Sequence, residues 1–299
     1  MSLMVRDALS MAAGRFEQTG SLSPKKDAEL LLLYMLNVDS SWLFTHYSDQ
    51  LDDRQCDLFF ELMDRRATCE PVQYITGTQE FMGLNFFVSP AVLIPRQDTE
   101  TLVETAMKIL REKKTPFGGF EVLDLCCGSG AIAVSLACHL KDARKKITAI
   151  DISKDALEMA KKNASQYPES QEIKFVESDL FAALPKDRKG RGKKQYHLIA
   201  SNPPYIPTAV LPTLQKDIYE YEPLLALDGG QDGIDFYVRI LNEAPAYLEK
   251  NGVLLLEIGS DQGEVIKALA AASGYYEPVE IIQDLAGKDR VALCMCRTQ

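Results

Sequence analysis

The chain has 299 residues, 46% of them apolar, enough for a sizeable core and for two domains, or one large and one small. Its 33 basic and 43 acidic residues leave a net charge of −10, which argues against a protein living on free DNA or RNA, where basic footprints are expected. The seven cysteines, Cys56, Cys69, Cys126, Cys127, Cys138, Cys294 and Cys296, cannot all pair within one chain and contain no C-x-x-C zinc pair, so free thiols in a reducing cytosol account for them.

The first residues, Met1 to Asp7, lack a basic region followed by a long apolar one. No run approaches the roughly 20 apolar residues of a membrane span, so a cytoplasmic protein off the membrane is expected. Residues 1–70 read as helical. Ser23-Pro24 predicts a helix start, with a capping hydroxyl and proline at the first helical position. Asp52 or Asp53 predicts another, ending before Pro71. This segment holds no catalytic constellation; it is a packing accessory or a partner-recognition module. Residues 71–95, punctuated by Gly77, Gly83, Pro90 and Pro95, read as a β-hairpin linker. Asp98-Thr99-Glu100 then opens a helix, with acids in its first turn.

From about residue 120 strands and helices alternate. Strands are expected at 120–125, 147–151, 173–177, 196–200, 253–258, 279–283 and 290–296. Helices are expected at 131–140, 154–163, 234–248 and 263–272. Repeated βα units predict a doubly wound, mostly parallel, Rossmann-like α/β sheet of seven strands. The last two strands are joined too tightly for a crossover and should pair antiparallel. The histidines His46, His139 and His197 are scattered, so no metal site is expected.

Ligands of such sheets bind at the carboxyl ends of the strands. Four groups fall there at successive strand ends. After the first strand come Cys126-Cys127-Gly128-Ser129-Gly130, where the glycines let a ligand approach the backbone. Asp151 follows, with a carboxylate able to accept from two ribose hydroxyls. Asp179 can accept from an adenine amino group. The fourth is Ser201-Asn202-Pro203-Pro204-Tyr205. Two prolines end that strand and hold the backbone stiff. The Asn202 side-chain oxygen and the Pro203 carbonyl can each accept one N–H of a planar –NH2 group, while Tyr205 packs flat against it. An amide nitrogen is a poor nucleophile, so gripping it helps mainly by positioning and by preorganised polar groups. Each feature has a plainer explanation: a turn, a helix cap, a glycine the fold needs. Asp124 more simply shapes the loop than touches a ligand. All four groups in order are much less expected by accident.

These residues, with Asp124-Leu125 before them, resemble the motifs of class I S-adenosylmethionine-dependent methyltransferases. Pro71 to Gly77, Glu80-Phe81, Ile94 to Glu100 and Leu256 to Gly259 are similar to the bacterial release factor glutamine methyltransferase family, and the likeness covers nearly the whole chain. The resemblance implies N5-methylation of the glutamine in the Gly-Gly-Gln motif of class 1 peptide chain release factors. It implies S-adenosylmethionine as cofactor and a small, all-helical, substrate-recognition domain at 1–70. A hairpin linker at 71–95 and a methyltransferase domain at 96–299 complete it. Carried over, Cys126, Cys127, Gly128, Ser129 and Gly130 hold the methionine part and Asp151 the ribose. Asp179 and Leu180 flank the adenine. Asn202 also borders the cofactor, and Asn202, Pro203, Pro204 and Tyr205 bind the target, with Asn202, Pro203 and Tyr205 catalytic.

Two departures from the family stand out. Cys126 occupies a position that is glycine in many methyltransferases, and Leu180 one that is aromatic in some. Cys126 and Cys127 invite a redox reading, but buried small residues are the simpler account. The basic run at 186–194 holds six positive charges and one negative. It reads either as contact with an acidic partner or as a solvated loop feeding the far end of the fourth strand, on the order of 17–20 Å from the rim. The expectation is a monomer without direct nucleic-acid contact. The alternatives are a ribosomal-protein glutamine methyltransferase, DNA adenine N6-methylation, and a binding protein that has lost catalysis.

Overall fold

The structure, a computed structural model, describes residues 3–112, 119–141, 144–187 and 195–297. Two compact units are present, Met1–Thr78 with Leu214–Tyr221, and Gln79–Thr213 with Glu222–Gln299.

In the first unit the two-residue strands β1 (Leu3–Met4) and β2 (Gln50–Leu51) pair antiparallel. The helices are α1 (Val5–Gln18), α2 (Pro24–Leu36), α3 (Ser40–His46), α4 (Asp53–Ala67) and α5 (Val72–Thr76). Phe16, Leu31, Leu32, Phe59, Met63, Val72 and Ile75 meet in one core. Asp52 starts α4 through a capping box: its carboxylate accepts the Gln55 N–H at 2.7 Å, and the Gln55 side chain accepts the Asp52 N–H at 3.0 Å. Such a cap stabilises a helix by about 1 kcal/mol.

The start of α2 departs from expectation. Pro24 is at the first helical position, but the Ser23 hydroxyl caps nothing. Its ψ of 54° falls short of the extended backbone a capping side chain needs. Instead the Ser21 hydroxyl donates to Asp27 at 2.8 Å, and buried Asp27 also accepts from the buried Arg66 guanidinium at 2.8 Å. The helix α5 was not foreseen either. Pro71 stands at its start, and Gly77, at φ 76°, ends it in the left-handed region glycine favours.

The second unit opens on a hairpin of β3 (Thr78–Phe81) and β4 (Leu84–Phe87). Its two linking residues, Met82 and Gly83, both have positive φ, 53° and 71°, the turn that suits the twist of a tight hairpin. Phe81 and Phe86 are buried in this unit's core. There follow α6 (Glu100–Glu112), β5 (Gly119–Leu125), α7 (Ala131–His139), β6 (Arg144–Asp151), α8 (Lys154–Ser165), β7 (Lys174–Glu177) and β8 (Tyr196–Ser201). The short α9 (Lys216–Tyr219) lies in the segment that belongs to the first unit. Then come α10 (Asp235–Glu243), β9 (Leu248–Glu257), α11 (Gly263–Ser273), β10 (Glu280–Gln283) and β11 (Asp289–Met295).

The seven-stranded sheet has the order β10-β11-β9-β8-β5-β6-β7. Strands β9, β8, β5, β6 and β7 run parallel. Strand β11 is antiparallel to β9 and also to β10, the latter as the tight connection between the last two strands requires. Side chains alternate across the sheet with period two. Val122, Leu198, Val253 and Leu255 pack under α6, α7 and α8. Leu123, Leu125, Ile199, Leu254 and Leu256 pack under α10 and α11. The helix expected through Leu248 stops at Glu243, because Pro245 cannot continue the i→i−4 ladder. A 3-10 turn, Ala244–Ala246, follows, and β9 begins at Leu248, five residues ahead of the expected Val253.

Leu255, fully buried in the central sheet, tests the weight of this core. Leu255→Ala is expected to cost about 2–5 kcal/mol, read as a lower urea midpoint by far-UV circular dichroism.

Candidate active site

The site follows from strand register. Leu125 of β5 pairs with Ile150 of β6 on one side and Ser201 of β8 on the other. Asp151 pairs with Glu177 of β7. The chain therefore leaves β5, β6, β7 and β8 at nearly one level. Strands β5, β6 and β7 run to one side and β8 and β9 to the other, so the crevice opens at the topological switch point. A cavity of about 250 Å³ lies there.

The four strand-end groups meet around it. Cys126, Cys127, Gly128, Ser129, Asp151, Asp179, Leu180, Asn202 and Pro204 line the cavity. Gly130, Pro203 and Tyr205 do not. Gly130 sits at the start of α7 with φ 79°, where a Cβ would approach the Ala160 Cβ to 3.1 Å. The Pro203 carbonyl takes no hydrogen bond from any described residue. The Tyr205 ring packs against the core under α10 and α11, and burial raises its hydroxyl pKa.

The loop after β5 is held from several sides. The Cys127 N–H donates to the Ile150 carbonyl at 2.9 Å, the Gly130 N–H to the Cys127 carbonyl at 2.7 Å, and the Gly128 N–H to Asp151 Oδ2 at 2.8 Å. Asp151 Oδ1 accepts from the Ser153 N–H at 2.9 Å. Burial raises the Asp151 pKa, and these N–H groups oppose that rise. Cys126 has φ 59°, the left-handed region, which explains why glycine suits this place and why a cysteine there carries strain of order 1 kcal/mol. Burial pushes the Cys126 thiol up to about 12 and raises that of Cys127 as well. Both are free thiols held protonated; Cys127 is buried, and Cys126 is partly exposed at the cavity. Asp124 is fully buried; its Oδ2 accepts the Ala133 N–H at 3.0 Å, and burial pushes its pKa up to about 8. It shapes the first turn of α7.

At the other wall, Asp179 Oδ1 accepts from Arg239 Nη2 at 2.9 Å, and Arg239 itself lines the cavity. Leu180 has φ 47° and is buried. Asn202 Nδ2 donates to Thr99 Oγ1 at 3.3 Å. Glu222 is buried, pairs with Arg96 and accepts the Ile94 N–H at 3.1 Å, tying the loop before α6 to the cavity-lining Pro223, Leu225 and Ala226. Nothing in the sequence marks Arg239 as a site residue, and Thr99 was expected only at a helix start. The Ile94 to Glu100 run stood out there only as a likeness, and nothing local marks Glu222 as a buried anchor.

The rim at 202–205 is clasped from behind. The Ile206 N–H donates to the Leu227 carbonyl at 3.0 Å, and the Gly229 N–H to the Ile206 carbonyl at 2.8 Å. Gln262 Nε2 donates to the Tyr205 carbonyl at 3.1 Å. A Cβ on Gly229 would stand 2.7 Å from the Tyr205 Cα.

Residues 7–77 match the model of the PrmC N-terminal domain, and residues 117–294 that of a methyltransferase domain. The chain is 42% identical to the release factor glutamine methyltransferase of Moorella thermoacetica, over 99% of this chain and 100% of that protein. It is 39% identical to the release factor glutamine methyltransferase of Geobacter sulfurreducens, over 96% of this chain and 95% of that protein. The chain belongs to the release factor glutamine methyltransferase family. Among solved structures, the hMettl16 catalytic domain, in complex with the MAT2A 3'UTR hairpin 6, superposes with a TM-score of 0.57 at 14% identity. That match covers 87% of this chain and 92% of the other, and shows a shared methyltransferase fold. In this family member no helix among the described residues is long and apolar enough to cross a membrane. Among the same residues no group of three or more His, Cys, Asp or Glu could hold a metal ion. The basic run lies outside the described residues from 188 onward.

Gly229→Ala is expected to push the rim away from its clasp at a cost of about 1–3 kcal/mol. Thermal unfolding followed by circular dichroism checks it; an unchanged midpoint would mean the clasp is slack.

Proposed function

We propose that the chain transfers a methyl group from S-adenosylmethionine to the side-chain nitrogen, N5, of the glutamine in the Gly-Gly-Gln motif of class 1 peptide chain release factors. The observation that carries this is the placement of Asn202 on the same cavity as Gly128 and Asp151, beside a Pro203 carbonyl with no partner among the described residues.

The cavity suits the donor. Gly128 has φ 51° and nothing within 4 Å of where its Cβ would be, so its backbone faces open space that a ligand can fill. The Asp151 carboxylate lines the cavity, and its two oxygens offer about four acceptor positions, more than the backbone N–H groups around it occupy. When bound, S-adenosylmethionine supplies an electrophilic methyl carried on a sulfonium. Cys126 to Gly130 hold its methionine part and Asp151 its ribose, while Asp179 and Leu180 flank the adenine.

The chain's own groups act on the acceptor. Asn202 Oδ1 and the Pro203 carbonyl each accept one N–H of the target amide. That fixes the plane of the amide and the direction of its lone pair, and makes the nitrogen more electron-rich. Pro204 stiffens the path, and Tyr205 braces the rim against the target. The helical segment at 1–70 recognises the release factor, the hairpin at 71–95 links it, and 96–299 carries the chemistry. The enzyme works as a cytoplasmic monomer, and its net charge of −10 disfavours direct nucleic-acid contact.

Methyl transfer from labelled S-adenosylmethionine to a purified release factor tests the assignment, beside a Gln→Ala version of its Gly-Gly-Gln motif. Label on the first and none on the second is expected. Label on neither, with the donor still bound, would move the search to a ribosomal protein and then to adenine in DNA. Asn202→Ala is expected to lower turnover about 10²–10³-fold while donor affinity stays within about twofold. Asp151→Ala is expected to do the reverse, weakening donor binding about 10-fold or more, as isothermal titration would read.

A further inference from the structure

We propose that Arg239 is a specificity-determining residue for the methyl donor: paired with Asp179, it reads one edge of the donor's adenine. The inference rests on the cavity taking S-adenosylmethionine, as proposed above, and adds Arg239 to the residues that hold it.

Phe236 and Arg239 stand three positions apart on α10, on one helix face, and both line the cavity. The buried face of that helix is made by Tyr237, Ile240 and Leu241 instead. Asp179 lies two residues beyond the end of β7 and lines the same cavity. Asp179 Oδ1 accepts from Arg239 Nη2 at 2.9 Å. No described residue donates to Asp179 Oδ2, and none accepts from Arg239 Nε or Nη1. Fold stability does not explain the pair. Its side chains stay 41% and 47% exposed, and ion pairs that water reaches this well contribute little.

Hydrogen-bond direction gives the pair a use. An ionised carboxylate only accepts, and a guanidinium only donates. With Oδ1 committed to the guanidinium, Oδ2 is left to accept, beside N–H groups left to donate. Adenine carries the complementary pattern: its 6-amino group donates, and the ring nitrogens N1 and N7 on either side accept. Arg239 therefore orients the carboxylate and also supplies the second hydrogen bond. A 6-oxo purine turns an acceptor toward Asp179, which repels it. A ring with carbon in place of the accepting nitrogen leaves the guanidinium N–H unpaired.

Isothermal titration with four product analogues tests this without a methyl acceptor. They are S-adenosylhomocysteine, its 6-oxo counterpart S-inosylhomocysteine, and the 1-deaza and 7-deaza adenine forms. Wild type is expected to bind S-adenosylhomocysteine about 10- to 100-fold tighter than S-inosylhomocysteine. Arg239→Met, which keeps a long side chain without the N–H groups, should weaken S-adenosylhomocysteine about 10-fold or more. The deaza form that lacks the nitrogen met by Arg239 should lose at most about threefold in the same variant, because its partner atom is already gone. Asp179→Asn, whose amide can turn its NH2 to a 6-oxo group, should shrink the preference for adenine to within about threefold.

Equal weakening of all four ligands by Arg239→Met would mean a structural role only. That result, or a wild type indifferent to 6-amino and 6-oxo ligands, would overturn the proposal and leave methyl transfer to release factor standing. The expected pattern in an enzyme that labels no release factor would sustain the pair and remove the substrate. A wild type that binds none of the four would sink the donor and the pair together.

Discussion

Everything at the site depends on the alignment of parallel strands across β6, β5 and β8. Leu125 sits between Ile150 and Ser201, and the next residue in each strand's path is Cys126, Asp151 or Asn202. A slip of one residue would exchange the two faces of a strand. Leu123 and Leu125 would then leave the core under α10, and Val122 the core under α6 and α7. Because both faces are buried, that error is costly, and packing of apolar residues far from the cavity sets where the polar strand ends emerge. The chemistry inherits its precision from the core.

A rim with two consecutive prolines cannot join the sheet's hydrogen-bond ladder. Here that deficit is useful. The Pro203 carbonyl is unclaimed among the described residues, next to the cavity-lining Asn202 and Pro204. Position must then come from elsewhere. Leu227 and Gly229 hold Ile206, Gln262 holds the Tyr205 carbonyl, and Thr99 holds the Asn202 amide. The loops that supply these contacts are themselves pinned by buried charge. Glu222 ties down Ile94 and Arg96, and Arg290 reaches Asp284 at 3.1 Å and Asp98 at 3.0 Å. Pairs with a buried member add little net stability; removing the partner of buried Glu222 or Arg290 strands its charge, and so they specify geometry strongly.

The same edge gathers carboxyl groups. Asp124, Asp151 and Glu257 are all shifted upward by burial. Burial disfavours the charged form of each.

Much of this was legible in the sequence. The alternation of strands and helices, the antiparallel close of the sheet and the residues ending each strand all reflect local signals: period-two apolar runs, turn residues and prolines. The helix starts were readable only in part, since Asp52 caps α4 while Ser23, with the wrong ψ, caps nothing. Tertiary structure alone decided which polar groups meet. Glu222 and Arg239 come from separate places in the chain and look ordinary in each, while Thr99 was marked only as part of a helix start and of a family-like run. Their roles depend on burial and on the direction of hydrogen bonds, and both are properties of neighbours brought together by folding. A residue's chemistry can be read from its name; whether its proton or its lone pair faces the ligand depends on what the fold sets behind it.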